Sequence, residues 1–197
     1  MEIKHELRHK TLYEAFFRYR TLLMDIFMIS LSVALMGVLS NIQIPLWPVP
    51  ITMQTFGVFL IAFFFGSNKG AMSILLYLTV GLAGLGVFAG YASGYAPFIG
   101  PSGGYLIGFI AMVFVVGKLI EKGYGRTKKS ILLCMIIGEA ILYVFGLIGL
   151  YLAMPNITLL QTFSYGFFPF IIGDSIKVIA AVSLFPYLWK GAEKIAK

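Results

Sequence analysis

The sequence predicts an all-α integral membrane protein of six transmembrane helices, with both termini in the cytoplasm. Three observations carry that expectation. Hydrophobic residues make up 59% of the 197 positions and charged residues only 12%, with a mean hydropathy of +0.92. Soluble domains carry roughly 25% charged residues, so there is too little polar material here to coat a water-soluble core. Long apolar stretches recur along the chain, and Lys and Arg collect in every second connection between them. Six helices of about 20 residues each fit the length and leave no room for a separate soluble domain.

The spans are read at about Leu22–Ser40, Thr52–Phe65, Gly70–Leu85, Gly103–Ile120, Ser130–Leu152 and Phe168–Leu188. They divide the chain into a basic N-terminal arm (1–21), a transmembrane domain (22–190) and a C-terminal tail (191–197). Within the arm, "MEIKHELRHKTLYEAFFRYR", Leu12, Phe16 and Tyr19 share one helical stripe among basic residues. Two readings stand open: a helix lying on the membrane surface, or a solvated basic flank. His5 and His9 form an i, i+4 pair with no third ligand nearby, so no metal site is assigned. The apolar run after the arm ends in "VLSNIQIP", without a small-x-small cleavage site, and is expected to remain as the first span.

The second and third spans are short and joined by a tight "GSNKG" (Gly66–Gly70), as in a helical hairpin. Charge placement supports six crossings. Five of the fifteen Lys and Arg residues precede Leu22, Lys69 lies in the second connection, five more run from Lys118 to Lys129, and three follow Leu188. The connections Asn41–Ile51, Gly86–Ser102 and Ala153–Phe167 contain no Lys, Arg, Asp or Glu. Such alternation is what the positive-inside rule requires of six spans with cytoplasmic termini. The same rule, with anionic lipid, accounts for the net charge of +7, and no stacking motif points to nucleic acid.

The uncharged connections have their own chemistry. "IPLWPVPITMQT" (Ile44–Thr55) holds Pro45, Pro48 and Pro50, which stiffen it into an extended segment, and Trp47 suits a membrane interface. "GLGVFAGYASGYAPFIGPSGGYLIGF" (Gly84–Phe109) carries eight glycines, yet is aromatic and apolar between them. It reads as a folded cover over the outer end of the helices. Gly104–Gly108, inside the fourth span, fits small-xxx-small helix packing. Lone Cys134, in an apolar run, reads as a small buried hydrophobe.

Few charges lie within the spans. Asp25 is close to the start of the first, and Glu139 is well inside the fifth, where protonation, a hydrogen bond to a neighbouring helix or a cavity all remain open. Asp174 and Lys177, at i, i+3, project from one face of the sixth helix beneath the glycine-rich connection. They form either a mutual ion pair that serves packing or the polar end of a pocket. An acceptor-only and a donor-only side chain together suit a ligand with N–H groups and a carboxylate.

Four segments, "PVPITMQT" (Pro48–Thr55), "GSNKGAMSILLYLTVGLAGLGVFAG" (Gly66–Gly90), "GPSGGYLIGF" (Gly100–Phe109) and "PFIIGDSIK" (Pro169–Lys177), resemble in order and spacing the BioY family. These are the biotin-capturing substrate subunits, or S-components, of energy-coupling-factor (ECF) transporters. The resemblance implies a six-helix S-component working with one transmembrane coupling subunit and two cytoplasmic ATPase subunits. It implies no cofactor, no catalytic residue and no enzymatic activity, and the sequence holds no GxxxxGK[ST] phosphate loop.

Carried over by motif, Asp174 and Lys177 are the expected biotin ligands, with Gln54, Tyr77, Phe88 and Tyr105 as further candidates. Pro48, Pro50, Gly94, Gly100, Pro101 and Ser102 would form the lid, Ser102 standing where the family usually has Thr. Docking to the coupling subunit would fall on Ser30 and Ala34, in place of the family's Ala-xxx-Ala. The alternatives are an S-component for another vitamin or a biotin precursor, and a proton-coupled secondary transporter relaying through Asp174, Lys177 and Glu139.

Overall fold

A computed structural model describes residues 11–17, 19 and 21–195, with the side chains of 193 and 195 set aside. The His5–His9 pair, most of the basic arm and the tail beyond Ile195 lie outside these residues.

Among the described residues, five helices are long and apolar enough to cross a membrane: Leu22–Asn41, Gln54–Leu82, Gly103–Glu121, Lys128–Ala153 and Phe170–Ala192, with mean hydropathies of 1.5 to 2.5. We label the helices in chain order α1 (Leu12–Phe16), α2 (Leu22–Asn41), α3 (Gln54–Leu82), α4 (Ala96–Ile99), α5 (Gly103–Glu121), α6 (Lys128–Ala153), α7 (Leu159–Gly166) and α8 (Phe170–Ile195). Start signals are local: Thr21 caps α2 by accepting from the Met24 N–H, and Thr127 and Ser130 form a capping box at α6.

Helix α3 is not one rod. Gly66 has φ 77° and ψ −157°, a conformation L side chains avoid, and the helix breaks there. Gln54 Nε2 then meets the Tyr77 hydroxyl at 2.7 Å, whereas 23 residues of straight helix would separate them by about 34 Å. The two halves are therefore antiparallel, as "GSNKG" suggested. The hairpin tip is tied to the start of α2 by Lys69–Asp25 at 2.6 Å, and its base to the end of α2 by Met53 N to Ile42 O at 3.0 Å. Each arm thus runs the length of α2.

Helix α5 packs between α3 and α6. A Cβ on Gly149 of α6 would lie 2.5 Å from Gly104 Cα of α5, so these helices approach backbone to backbone, as expected of the Gly104–Gly108 stripe. Outward faces carry Leu23, Phe27, Ile172 and Ile179, all well exposed, a belt suited to lipid rather than water.

Three features depart from the expected pattern. The proline-rich connection closes into a two-stranded antiparallel ribbon, β1 (Gln43–Ile44) with β2 (Ile51–Thr52). The fifth connection contains α7, capped by Thr158 and Gln161. The described part of the arm packs onto the bundle: Leu12 and Tyr13 are 1% exposed, while Tyr19 is 84% exposed and off the predicted stripe. The Tyr13 ring supplies the reason, since it contacts Phe64 and Phe65, takes the Lys69 ammonium over its face and donates its hydroxyl to Asp25 at 2.6 Å.

The bundle has two unlike ends. Asp25, Lys69, Glu121 and Arg126 gather at one: Glu121 accepts from the Ser67 backbone and hydroxyl at 2.7 Å, and Arg126 stacks on Trp189 at 4.1 Å. The other end carries the ribbon, α4, α7 and a 3-10 turn at Ala89–Tyr91, all uncharged.

Candidate ligand pocket

A cavity of about 260 Å³ lies under the uncharged end. Its floor and walls come from Asp174, Lys177 and Phe170 of α8, Leu142 and Tyr143 of α6, Tyr105, Leu106 and Phe109 of α5, and Gln54 and Thr55 at the start of α3. Val49, Pro50 and Thr52 close one side; Phe88, Ala89, Ala92, Ala96, Pro97 and Gly100–Ser102 close the top. Mostly apolar walls with a few convergent polar groups are the usual form of a small-molecule site.

The cover is folded, not a loose flap. Phe88 is 2% exposed and sits edge-on to Tyr77 and Phe98. The Val87 carbonyl accepts from Ser40 Oγ at 2.7 Å and from the Tyr77 hydroxyl at 2.9 Å, and Asn41 Oδ1 accepts from the Tyr91 N–H at 2.9 Å.

Asp174 and Lys177 are 8% and 4% exposed and bonded at 2.8 Å. The pair is thus mutual and also lines the cavity. Tyr143 donates its hydroxyl to Asp174 Oδ2, leaving Oδ1 to Lys177. An ionised carboxylate has about four acceptor sites and an ammonium three donors, so each retains capacity toward a ligand.

Of the other predicted residues, Gln54, Phe88, Tyr105, Pro50, Gly100, Pro101 and Ser102 line the cavity. Tyr77 does not. It is fully buried behind Gln54, accepting from it and donating to Val87. Pro48 and Gly94 also stand back from the cavity. Pro48 follows a cis peptide in the ribbon, and Gly94, with φ 74°, anchors the cover through its N–H to Gly81 O at 2.8 Å. Ser30 and Ala34 are exposed on α2, and Ala34 borders an apolar groove between α2, α3 and α8.

Tyr143, Thr52, Thr55 and Phe170 were missed. Tyr143 had a faint signal in its i, i+4 spacing from Glu139, which puts two polar groups on one face of an apolar helix. Among the described residues no group of three metal-ligating side chains occurs.

Residues 9–194 match the model of the BioY family. The chain belongs to the BioY family. Among named BioY proteins, the biotin transporter of Thermotoga maritima is 40% identical over 151 residues, covering 75% of this chain and 85% of that one. The probable biotin transporter of Pyrococcus horikoshii is 34% identical, with 80% and 91% covered, and the Rhizobium etli biotin transporter 35%, with 84% and 90%. The fold matches a crystal structure described as the S-component for biotin from an ECF-type ABC transporter, at a TM-score of 0.75 and 28% identity, over 87% of this chain and 95% of that one. BioY membership and an S-component fold thus coincide with a pocket under the uncharged end.

Proposed function

We propose that this chain captures biotin outside a prokaryotic plasma membrane and delivers it inward as the substrate-specific subunit of an ECF transporter. The observation that carries this is the buried Asp174–Lys177 pair, which opens into a mostly apolar pocket in a BioY chain. Biotin is an uncharged but strongly hydrogen-bonding ureido ring on an apolar body, with a carboxylate tail. Asp174 accepts from a ureido N–H, and Lys177 donates to the ureido oxygen or the carboxylate. Phe88, Tyr105, Phe109 and Phe170 cover the apolar body.

Six crossings with cytoplasmic termini agree with the hairpin of α3 and with the gathering of Asp25, Lys69, Glu121 and Arg126 at one end. Energy comes from partners: one transmembrane coupling subunit, docking on the Ser30–Ala34 face of α2, and two cytoplasmic ATPase subunits. The chain itself performs no catalysis and needs no cofactor. Ligand enters under the lid formed by the ribbon and the Gly84–Ser102 cover, and membrane lipid contacts the outward faces of the bundle that the partner leaves free.

The test is biotin binding to the detergent-purified chain without partners. Wild type binds stoichiometrically, and Asp174→Ala or Lys177→Ala weakens binding by about tenfold or more, as expected from losing a charge-assisted hydrogen bond. Folded wild-type protein that ignores biotin but takes another vitamin would reassign the substrate.

A further inference from the structure

Glu139 lies on α6 one helical turn before Tyr143, whose hydroxyl donates to Asp174. Helices α6 and α8 run antiparallel: Tyr143 meets Asp174 at the pocket, and Trp189 meets Arg126 at the far end. Stepping back from Tyr143 to Glu139 covers about 6 Å, and stepping on from Asp174 to Lys177 about 4.5 Å in the same direction. Glu139 therefore stands level with Lys177, just beneath the pocket floor. It is 9% exposed, and neither carboxyl oxygen has a hydrogen-bond partner among the described residues.

The groups that act on it are few. Asp174 and Lys177 face it from α8, Tyr143 shares its own helix, and Tyr105 of α5 acts on Tyr143. Against the adjoining Gly138 the nearest side chains are Phe59 of α3 and Val116 of α5, both apolar. The cluster thus contains two carboxyls and one ammonium. Asp174 already holds the ammonium and a tyrosine hydroxyl, so its charge is matched. A second carboxylate would be uncompensated in an apolar interior, which a bound proton avoids.

We propose that Glu139 is a proton-binding site beneath the pocket, and that capture of an anionic ligand requires its proton to be in place. The inference rests on the biotin reading above. With Glu139 neutral the cluster has no net charge, and Lys177 is available to a ligand carboxylate. When Glu139 loses its proton, the new anion competes for Lys177 and repels the ligand's tail. Linkage is reciprocal: where Glu139 is ionised in the empty protein, binding an anion draws a proton in.

The experiment is a calorimetric titration of biotin into the purified chain, wild type and Glu139→Gln, from ~pH 6 to ~pH 9.5, between the ordinary ranges of carboxyls and lysine. Glutamine reproduces the shape of the protonated acid. Wild-type affinity should fall by about tenfold or more toward the upper end, a coupling within reach of one charge. The variant should hold one affinity throughout. Repeating the upper-end titration in two buffers of different ionisation enthalpy should reveal proton uptake by wild type only.

A flat wild-type profile, or the same decline in the variant, overturns the proposal. If the variant does not fold, the two-buffer measurement on wild type decides, and absence of proton uptake overturns it. Failure to bind biotin at any pH would reject the substrate assignment instead. Glu139 is then read directly by infrared difference spectroscopy at neutral pH: a protonated-carboxyl C=O band absent from Glu139→Gln supports the proton site, and its absence from wild type refutes it.

Discussion

Tyr143 of α6 and Asp174 of α8 are joined by a hydrogen bond across the pocket, the phenol donating to the carboxylate oxygen that Lys177 leaves free. One contact therefore orients the pocket-lining acid and clamps two helices together. Removing the hydroxyl in Tyr143→Phe keeps the ring's edge contact with Phe167 but leaves Asp174 one donor short. A bond to a charged group is worth about 1.5–3 kcal/mol. We expect a loss of stability in that range and a fall in biotin affinity of about tenfold, read by thermal melting and by calorimetry in detergent.

The ion pair makes a prediction with a sign of its own. Deleting one member of a buried pair strands the other and costs about 3–5 kcal/mol. Lys177→Ala should destabilise the fold by about that much, and Asp174→Ala by less, because Glu139 can release its proton and face Lys177 in its place. The double variant should recover most of the loss while binding no biotin. Additive losses in a double-mutant cycle would contradict this.

Gly149 tests the contact between α5 and α6. Its missing Cβ is what lets Gly104 approach, so Gly149→Ala forces the helices apart. Overpacking of this kind costs about 1–3 kcal/mol. The melting temperature in detergent should fall, whereas alanine at half-buried Gly191, where an added Cβ would meet nothing, should leave it unchanged.

Topology is accessible by labelling. Cys134 is fully buried and should resist a membrane-impermeant maleimide in folded protein. In a Cys134→Ala background, Tyr95→Cys on the exposed cover should be labelled from outside whole cells. Lys122→Cys, in the connection after α5, should be labelled only after the membrane is opened. The reverse pattern would invert the orientation.

What could be read from the sequence was what short-range chemistry dictates. Charge alternation fixes which connections share an end, and "GSNKG" marks a reversal because glycine at residue 66 can take a positive φ. Asp174 and Lys177 stood out because charge is scarce in an apolar helix. Gln54 and Tyr105 were found through motif resemblance, without any view of their partners. What stayed hidden depended on contacts far apart in the chain. Tyr143 became a pocket residue only because α8 returns beside α6, and Tyr77 moved behind the wall because the hairpin places Gln54 in front of it. The burial of Tyr13 depends on Asp25 and Lys69, neither of which the arm's own pattern contains. Helix α7 was legible in principle, since Thr158 and Gln161 spell a capping box, but eight residues are too few to stand out by apolar length.

The Val87 carbonyl has a mechanical meaning. Thr52 donates to Gln54, Gln54 to Tyr77 and Tyr77 to Val87, and Ser40 of α2 reaches the same oxygen. Thr52 and Gln54 line the pocket, while α2 carries the exposed face with Ser30 and Ala34. The cover is thus hinged to the bundle at a shared rivet instead of hanging from its own loop. Sliding α2 against the hairpin would strain that rivet, and lifting the cover would strip Tyr77 of its acceptor and leave Ser40 only the Gly37 carbonyl of its own helix. Cover, pocket wall and outward-facing helix meet at this one oxygen atom, with the Tyr91–Asn41 and Gly94–Gly81 bonds as further ties.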